Sequence, residues 1–318
     1  MKPLPDPDIL TATFGDRLQV NVPLKRYTAA RVGGRADVLI RADSSDELAE
    51  TGKRLWMLEI PFFMLGSGSN VLVSEAGVRQ VVVLNRAKDL KFSTQTEPAT
   101  VWVESGANLG SLARSVASRG LAGLEWAAGI PGTVGGAIYG NAGAHGADMA
   151  GNLVLAEILH LIQNNHGDKC EILQEKWPAD RFGYGYRSSI IKRQPGRAVI
   201  LSAELKLTRS TLEAVQETME EYKKMRYKSQ PSGASMGSIF KNPAGDYAGR
   251  LIEAAGLKGM ALGKVEISSK HANFFINQDS ASASDYYALI RLAQQKVLDQ
   301  FGVKLELEIE LLGDWEGQ

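Results

Sequence analysis

Cysteine is almost missing from this chain: Cys170 is the only one in 318 residues. That excludes an internal disulfide framework and a cysteine-built metal cluster, and it suits a reducing compartment, so a cytoplasmic location is expected. Histidine is scarce as well. His145, His160, His166 and His271 show no metal-ligand spacing, and no catalytic metal is expected. A charge excess is also lacking, with 36 basic against 36 acidic residues and no single-sign block. Nothing in that balance argues for nucleic acid or a membrane surface, which leaves a small molecule as the expected partner. No apolar run approaches the ~20 residues a membrane span needs. The start, MKPLPDPDILTATFGD, holds three prolines and three aspartates and no apolar core of a secretion signal, and residues 1–19 read as a ragged N-terminal arm.

Glycine is abundant, at 33 residues, and it is densest in AGIPGTVGGAIYGNAGAHG, residues 128–146. The run is too glycine-rich to be expected as a helix and, with Ile130, Val134 and Ile138, too apolar for a solvent loop. Bare glycine backbone can take positive φ and approach a ligand closely, and successive N–H groups then form a concave donor surface for phosphate oxygens. The run therefore reads as a pyrophosphate cradle for a dinucleotide, with Gly129, Pro131, Gly132, Thr133, Gly135, Gly136, Ala137, Gly143 and Ala144 as candidate contacts. A tight inter-domain turn packed on itself is the other reading. Gly136 is expected at positive φ.

A second glycine-rich stretch, Gly66-Ser67-Gly68-Ser69-Asn70, lies between apolar strands at 61–65 and 71–73. It is not a Rossmann fingerprint, which would open a helix, because a strand resumes at once. Alone it fits a hairpin turn equally well; beside the first run it becomes a candidate second phosphate-binding loop. Elsewhere Ser44 and Glu47 form a capping-box pattern ahead of a helix over 46–58. Further helices are expected over 110–118, 211–228, 248–255 and 284–300, and strands over 38–40, 81–84, 100–104, in the three β-rich segments between 153 and 209, and over 303–312. The fold class is α+β, with 44% apolar residues enough for two or three conventional cores.

Taken together, RVGGRAD, LGSGSN, AGIPGTVGGAIYGNAGAHG, GYRSS, MGSIFKNP, AGRLIEAAGLKG and KHANFFIN, ending in an FG-x-x-LE-x-E segment, resemble one family in order. It is the UDP-N-acetylenolpyruvoylglucosamine reductase family, and the resemblance covers residues 27–313. It implies a flavoprotein of the vanillyl-alcohol-oxidase/PCMH fold: an arm (1–19), two FAD-binding subdomains (20–85 and 86–210) and a C-terminal α+β substrate-binding domain (211–318). Lacking the tyrosine-containing insertion of the longer form, the chain resembles the compact second type. It departs from the pattern where Lys264 follows Gly263 and where RFGYGYR carries one glycine more.

The resemblance further implies noncovalent FAD, NADPH as co-substrate, a UDP-sugar enolpyruvyl ether as substrate and a monomer. Reduction of such an ether needs a hydride on one carbon, a proton on its neighbour, and stabilisation of the enolate charge between the two events. Arg187 carries a permanent cation with a planar donor fork, and taken alone is an ordinary surface ion-pair residue. The resembling YRxS motif gives it the enolate. Ser238, in isolation a turn residue, becomes the proton donor, with Lys241 as one possible relay. Glu308 sits in LELEIEL, whose period-two pattern would place Glu306, Glu308 and Glu310 on one solvated strand face. The match to LE-x-E selects Glu308 as the acid assisting Arg187. Tyr186, Lys241, Asn242 and His271 fall where the family contacts substrate; His145, inside the cradle, could tether a flavin covalently, as in some relatives of the fold. Two readings compete: an aldonolactone- or glycolate-type oxidase, and a nucleotide-sugar binding protein without flavin.

Overall fold

The computed structural model describes residues 7–163 and 170–315. The chain divides into two compact units. One comprises Met1–Gln19, Leu39–Gly66 and Val81–Lys224; the other comprises Val20–Val38, Ser67–Gln80 and Met225–Gln318. The first elements are α1 (Pro7–Phe14), β1 (Leu18–Pro23), β2 (Arg35–Ala42) and α2 (Ser45–Met57). Helix α2 starts as its sequence requires. Ser44 Oγ accepts the Glu47 N–H at 3.2 Å while the Glu47 carboxylate accepts the Asp43 N–H at 2.8 Å, satisfying donors that a helix start leaves open. Strands β3 (Phe62–Leu65), β4 (Val71–Val73), β5 (Val78–Asn85), β6 (Leu90–Ser93) and β7 (Ala99–Glu104) follow, then α3 (Leu109–Ala117) and β8 (Leu121–Ala122).

The glycine-rich run contains α4 (Val134–Gly140), β9 (Gly143–Ala144) and β10 (Ala147–Asp148), and leads into α5 (Met149–Asn152). Next come β11 (Leu153–Gln163), β12 (Cys170–Pro178), α6 (Ile190–Arg193), β13 (Ala198–Arg209) and α7 (Leu212–Ser229). The remainder is α8 (Ala248–Ala254), β14 (Ala261–Leu262), β15 (Val265–Ile267), β16 (Phe275–Asn277), α9 (Ala283–Phe301) and β17 (Glu310–Leu312). No described helix is long and apolar enough to cross a membrane.

The first unit is built on an antiparallel sheet of order β12–β11–β13–β7–β6, with β8 added beside β13. Alternation along β7 and β13 turns Val101, Val103, Ala203 and Leu205 into a core shared with Leu112 and Val116 of α3 and Val134 and Ile138 of α4. In the second unit β14–β15–β16 form an antiparallel sheet and β17 pairs with β4 in parallel. Its core joins Leu251 and Ile252 of α8 to Tyr286, Leu289 and Ile290 of α9 and to Phe240 and Phe275. Full burial of such a leucine or isoleucine contributes about 1.5–3 kcal/mol.

Four expectations change. The segment read as an N-terminal arm carries a helix: α1 buries Leu10 completely and Phe14 almost so, an apolar stretch long enough to dock. β3 and β4 do not form a hairpin, since β3 pairs in parallel with β5 and β4 pairs with β17. The cradle does contain a helix. Finally, only Glu310–Leu312 of the 303–312 segment is strand. Residues 305–309 form instead an irregular rung in which Leu305 and Ile309 are buried and Leu307 bridges Phe240.

Candidate active site

In the cradle, Thr133 caps α4 by accepting the Gly136 N–H at 3.2 Å. Gly135 donates its N–H to Ser105 O at 2.7 Å, and a Cβ there would lie 2.9 Å from Ser105 Cβ and 3.0 Å from its carbonyl oxygen. The helix tolerates its glycines because this one lets α4 lie directly on the segment after β7, and Val134, Ala137 and Ile138 anchor the buried face. Gly136 is helical rather than at positive φ, and its missing Cβ would meet only Thr133 Oγ1, at 3.4 Å. Positive φ falls instead at Gly129, Gly132 and Asn141, and at the β9–β10 turn on His145 and Gly146, a pair matching a two-residue hairpin loop. His145 stacks on Tyr222 of α7 with ring centroids 4.0 Å apart.

The second glycine loop shows the same economy of space. A Cβ on Gly66 would lie 2.6 Å from Thr133 Oγ1, and one on Gly68, at φ +59°, would lie 2.0 Å from Tyr27 O. Ser67 Oγ is buried with no partner among the described residues. Buried hydroxyls are normally paired, so this one is available to a ligand group. At the end of the loop Asn70 turns to β17: its side-chain Nδ2 donates to Glu308 O at 3.0 Å and its backbone O accepts from Glu310 N–H at 2.9 Å.

Arg187 occupies the tip of a two-residue turn. Gly185 and Ser188 exchange N–H···O bonds of 3.1 and 3.2 Å across its base, and Arg187 sits at φ +54°, a conformation that costs a non-glycine residue about 1–3 kcal/mol. The surroundings hold it there. Arg193 donates to Ser188 Oγ and to Gly183 O, both at 3.0 Å, and Ser189 Oγ donates to Tyr139 O of α4 at 2.7 Å. The guanidinium lies over the exposed Tyr186 ring, 5.4 Å from its centroid.

In the second unit Ser238 and Glu308 lie on neighbouring backbone segments. The Ile239 N–H donates to Asn273 O at 2.9 Å, and Ile239 O accepts the Glu308 N–H at 2.8 Å, so Ser238, Asn273 and Glu308 belong to one three-segment ladder. Asn273, nearly fully buried, clamps Phe240 by accepting its N–H at 2.9 Å and donating to its O at 2.8 Å. Ser238, Asn242, Tyr247, Arg250, Lys270 and His271 line a cleft of about 390 Å³. Asn242 Oδ1 accepts the Ala248 N–H at the start of α8, at 3.1 Å. His271 Nδ1 accepts the Asn273 N–H at 3.2 Å, and burial pushes the imidazole below its usual value, with the Lys258 charge adding to the depression. Lys241 Nζ is drawn to Glu306, 3.3 Å away.

Comparison with known proteins fits these parts. Residues 229–312 match the family model described as UDP-N-acetylenolpyruvoylglucosamine reductase, C-terminal domain, and residues 36–158 match an FAD binding domain. A UDP-N-acetylenolpyruvoylglucosamine reductase of Chloroflexus aurantiacus is 39% identical over 91% of this chain and 96% of its own length. The chain belongs to the UDP-N-acetylenolpyruvoylglucosamine reductase family. A relative from Caldanaerobacter subterraneus subsp. tengcongensis is 40% identical, covering 94% of each chain. The crystal structure of the Thermus caldophilus enzyme aligns with a TM-score of 0.76 at 34% identity, over 93% of this chain and 99% of that one.

The site residues expected from the family motifs fall into two groups. The first unit holds Arg187, Tyr186, Gly66 and the cradle contacts from Gly129 to Ala144; the second holds Ser67, Gly68, Ser69, Asn70, Ser238, Lys241, Asn242, His271 and Glu308. The three glutamates do not share one strand face: Glu306 is exposed, while Glu308 and Glu310 are half-buried. No metal-ligand cluster occurs among the described residues, and His166 lies outside them. Sequence reasoning missed Asn141, Asn273 and Arg226. Asn141 and Asn273 lay unremarked inside quoted motifs. Arg226, within a helix read as a charged connection, is half-buried, and burial holds its pKa below the ordinary arginine value with no charged partner among the described residues.

Proposed function

We propose that this chain reduces UDP-N-acetylglucosamine enolpyruvate to UDP-N-acetylmuramate, with noncovalently held FAD and NADPH, as a cytoplasmic monomer serving peptidoglycan precursor synthesis. The observation that carries the reading is the ladder holding Ser238 beside Glu308, in a chain that belongs to this family over its length. Residues 20–85 and 86–210 serve as the FAD-binding subdomains and 211–318 as the substrate domain. The candidate contacts of each glycine loop would hold FAD, and Ser67 Oγ suits that task as a buried hydroxyl with no partner among the described residues. When bound there, FAD would supply hydride chemistry, with NADPH as the reductant.

The protein must manage the charge and the proton. The planar donor fork of the Arg187 guanidinium stabilises the enolate oxygen by charge and hydrogen bonding. Glu308 assists as an acid. Ser238 delivers the proton to the substrate carbon, and the Asn273 clamp fixes the backbone that aims it. Asn242 and His271 bind the diphosphate and nucleotide, His271 donating through Nε2 because Nδ1 is occupied as an acceptor. Tyr186 and Lys241 complete the substrate contacts.

Ser238 is needed only for protonation, so Ser238→Ala should leave NADPH-driven flavin reduction near normal and slow reoxidation by the enolpyruvyl substrate by ~10²–10⁴-fold. Ser238→Cys should recover part of the loss. Anaerobic stopped-flow measures both steps. Near-normal reoxidation of the alanine variant would remove Ser238 from the mechanism.

A further inference from the structure

Asn141 ends α4 in the left-handed region, at φ +46° and ψ +59°, and is nearly fully buried. Asparagine tolerates this conformation better than other non-glycine residues, so the backbone alone could account for its presence. Its side chain does more. Nδ2 donates to Asp148 Oδ2 at 3.1 Å and to Gly185 O at 3.3 Å, while Oδ1 accepts the Ala150 N–H at 3.0 Å. One buried amide thus joins the end of the cradle helix, the strand returning from the β9–β10 turn, and the base of the turn that carries Arg187. Gly185, which receives the long-range bond, is the residue whose backbone pairs with Ser188 to close that turn.

Arg187 needs such support. A non-glycine residue at φ +54° stays there only when its surroundings over-determine it, and at this two-residue tip Tyr186 is exposed and Arg187 only half-buried. Arg193 and Ser189 brace Gly183, Ser188 and the Ser189 backbone. The Asn141 amide reaches the turn's first residue from the cradle.

We propose that Asn141 is a positioning residue for Arg187, fixing the catalytic turn to the flavin cradle so that the guanidinium meets the enolate oxygen in register with the bound cofactor. The inference rests on the role given above to Arg187. Misplacement of a catalytic group by ~1 Å is enough to cost on the order of 10²-fold in rate. That is the size of effect expected when the amide is deleted.

Asn141→Gly is the informative variant, because glycine keeps the left-handed backbone at no steric cost and removes only the amide. In the flavin-loaded full chain it should retain flavin content and NADPH-driven flavin reduction. Reoxidation by the enolpyruvyl substrate should slow by ~10–10²-fold. Because Asn141 acts through Arg187, Arg187→Ala with Asn141→Gly should be no slower than Arg187→Ala alone; a merely structural role would make the two losses add. Hydrogen exchange gives a readout independent of turnover: the amides of Gly185 and Ser188 should lose protection in Asn141→Gly while those of β11 and β13 keep it. Slow reoxidation in Arg187→Ala with normal reoxidation in Asn141→Gly would overturn the positioning role alone. Normal reoxidation in Arg187→Ala would overturn both the role of Arg187 and this inference. Additive losses, or unchanged protection at Gly185 and Ser188, would also overturn it.

Discussion

The His271 ring is oriented by one hydrogen bond, and burial favours its neutral form. The Asn273 N–H occupies Nδ1, which places the ring proton on Nε2, and burial disfavours the cation. Between the depressed folded value and the ordinary value near 6.5, the unfolded chain binds a proton at His271 that the folded chain refuses. Its contribution to stability is therefore complete above about pH 6.5 and is lost as pH falls through the folded value. Urea unfolding at about pH 7.5 and about pH 5.5 should show a smaller drop in stability for His271→Gln than for the parent chain. Equal drops would mean that His271 titrates normally. The residue itself was visible in KHANF, but its tautomer depends on an N–H that only the folded turn brings to Nδ1.

The cradle helix shows what local sequence can and cannot reveal. The glycine density of residues 128–146 was read as close approach to a ligand, whereas at Gly135 the close neighbour is Ser105 of the same unit. It concealed α4, because helix propensity penalises each interior glycine by about 1 kcal/mol and the offsetting burial of Val134, Ala137 and Ile138 is tertiary. The two adjacent glycines should now behave differently. Gly135→Ala drives a Cβ into Ser105 and should destabilise the fold by about 1–3 kcal/mol whether or not flavin is present. Gly136→Val meets no comparable protein obstacle, so it should fold and lose flavin. Denaturation midpoints and the visible absorbance of each purified variant separate the outcomes; a flavin-replete Gly136→Val would place the pyrophosphate elsewhere. In the same way α1 was hidden by its prolines, and its value lies in Leu10. Leu10→Ala should cost about 2–5 kcal/mol in urea unfolding, and a loss under ~1 kcal/mol would show that the helix is dispensable.

For the whole molecule, the α+β class, the main helices and the motif order were legible because periodicity and capping signals are local. The strand expected over 303–312 failed for a complementary reason: LELEIEL alternates as a strand does, but only Glu310–Leu312 finds a strand partner, β4, from 240 residues upstream, and the rest is held by Phe240 and Ile239. Pairing at that range has no local trace. The same ladder is what brings Glu308 to the Ser238 segment, so these residues were nameable by motif while the construction around them was not. The central claim is that the flavin of this chain carries hydride from NADPH to an enolpyruvyl UDP-sugar. One anaerobic experiment on the purified, flavin-loaded protein tests it: bleach the flavin absorbance with NADPH, then add UDP-N-acetylglucosamine enolpyruvate. The account predicts that the absorbance returns in proportion to substrate added, with formation of UDP-N-acetylmuramate. Flavin that NADPH cannot bleach, or that stays bleached until oxygen is admitted, would contradict it.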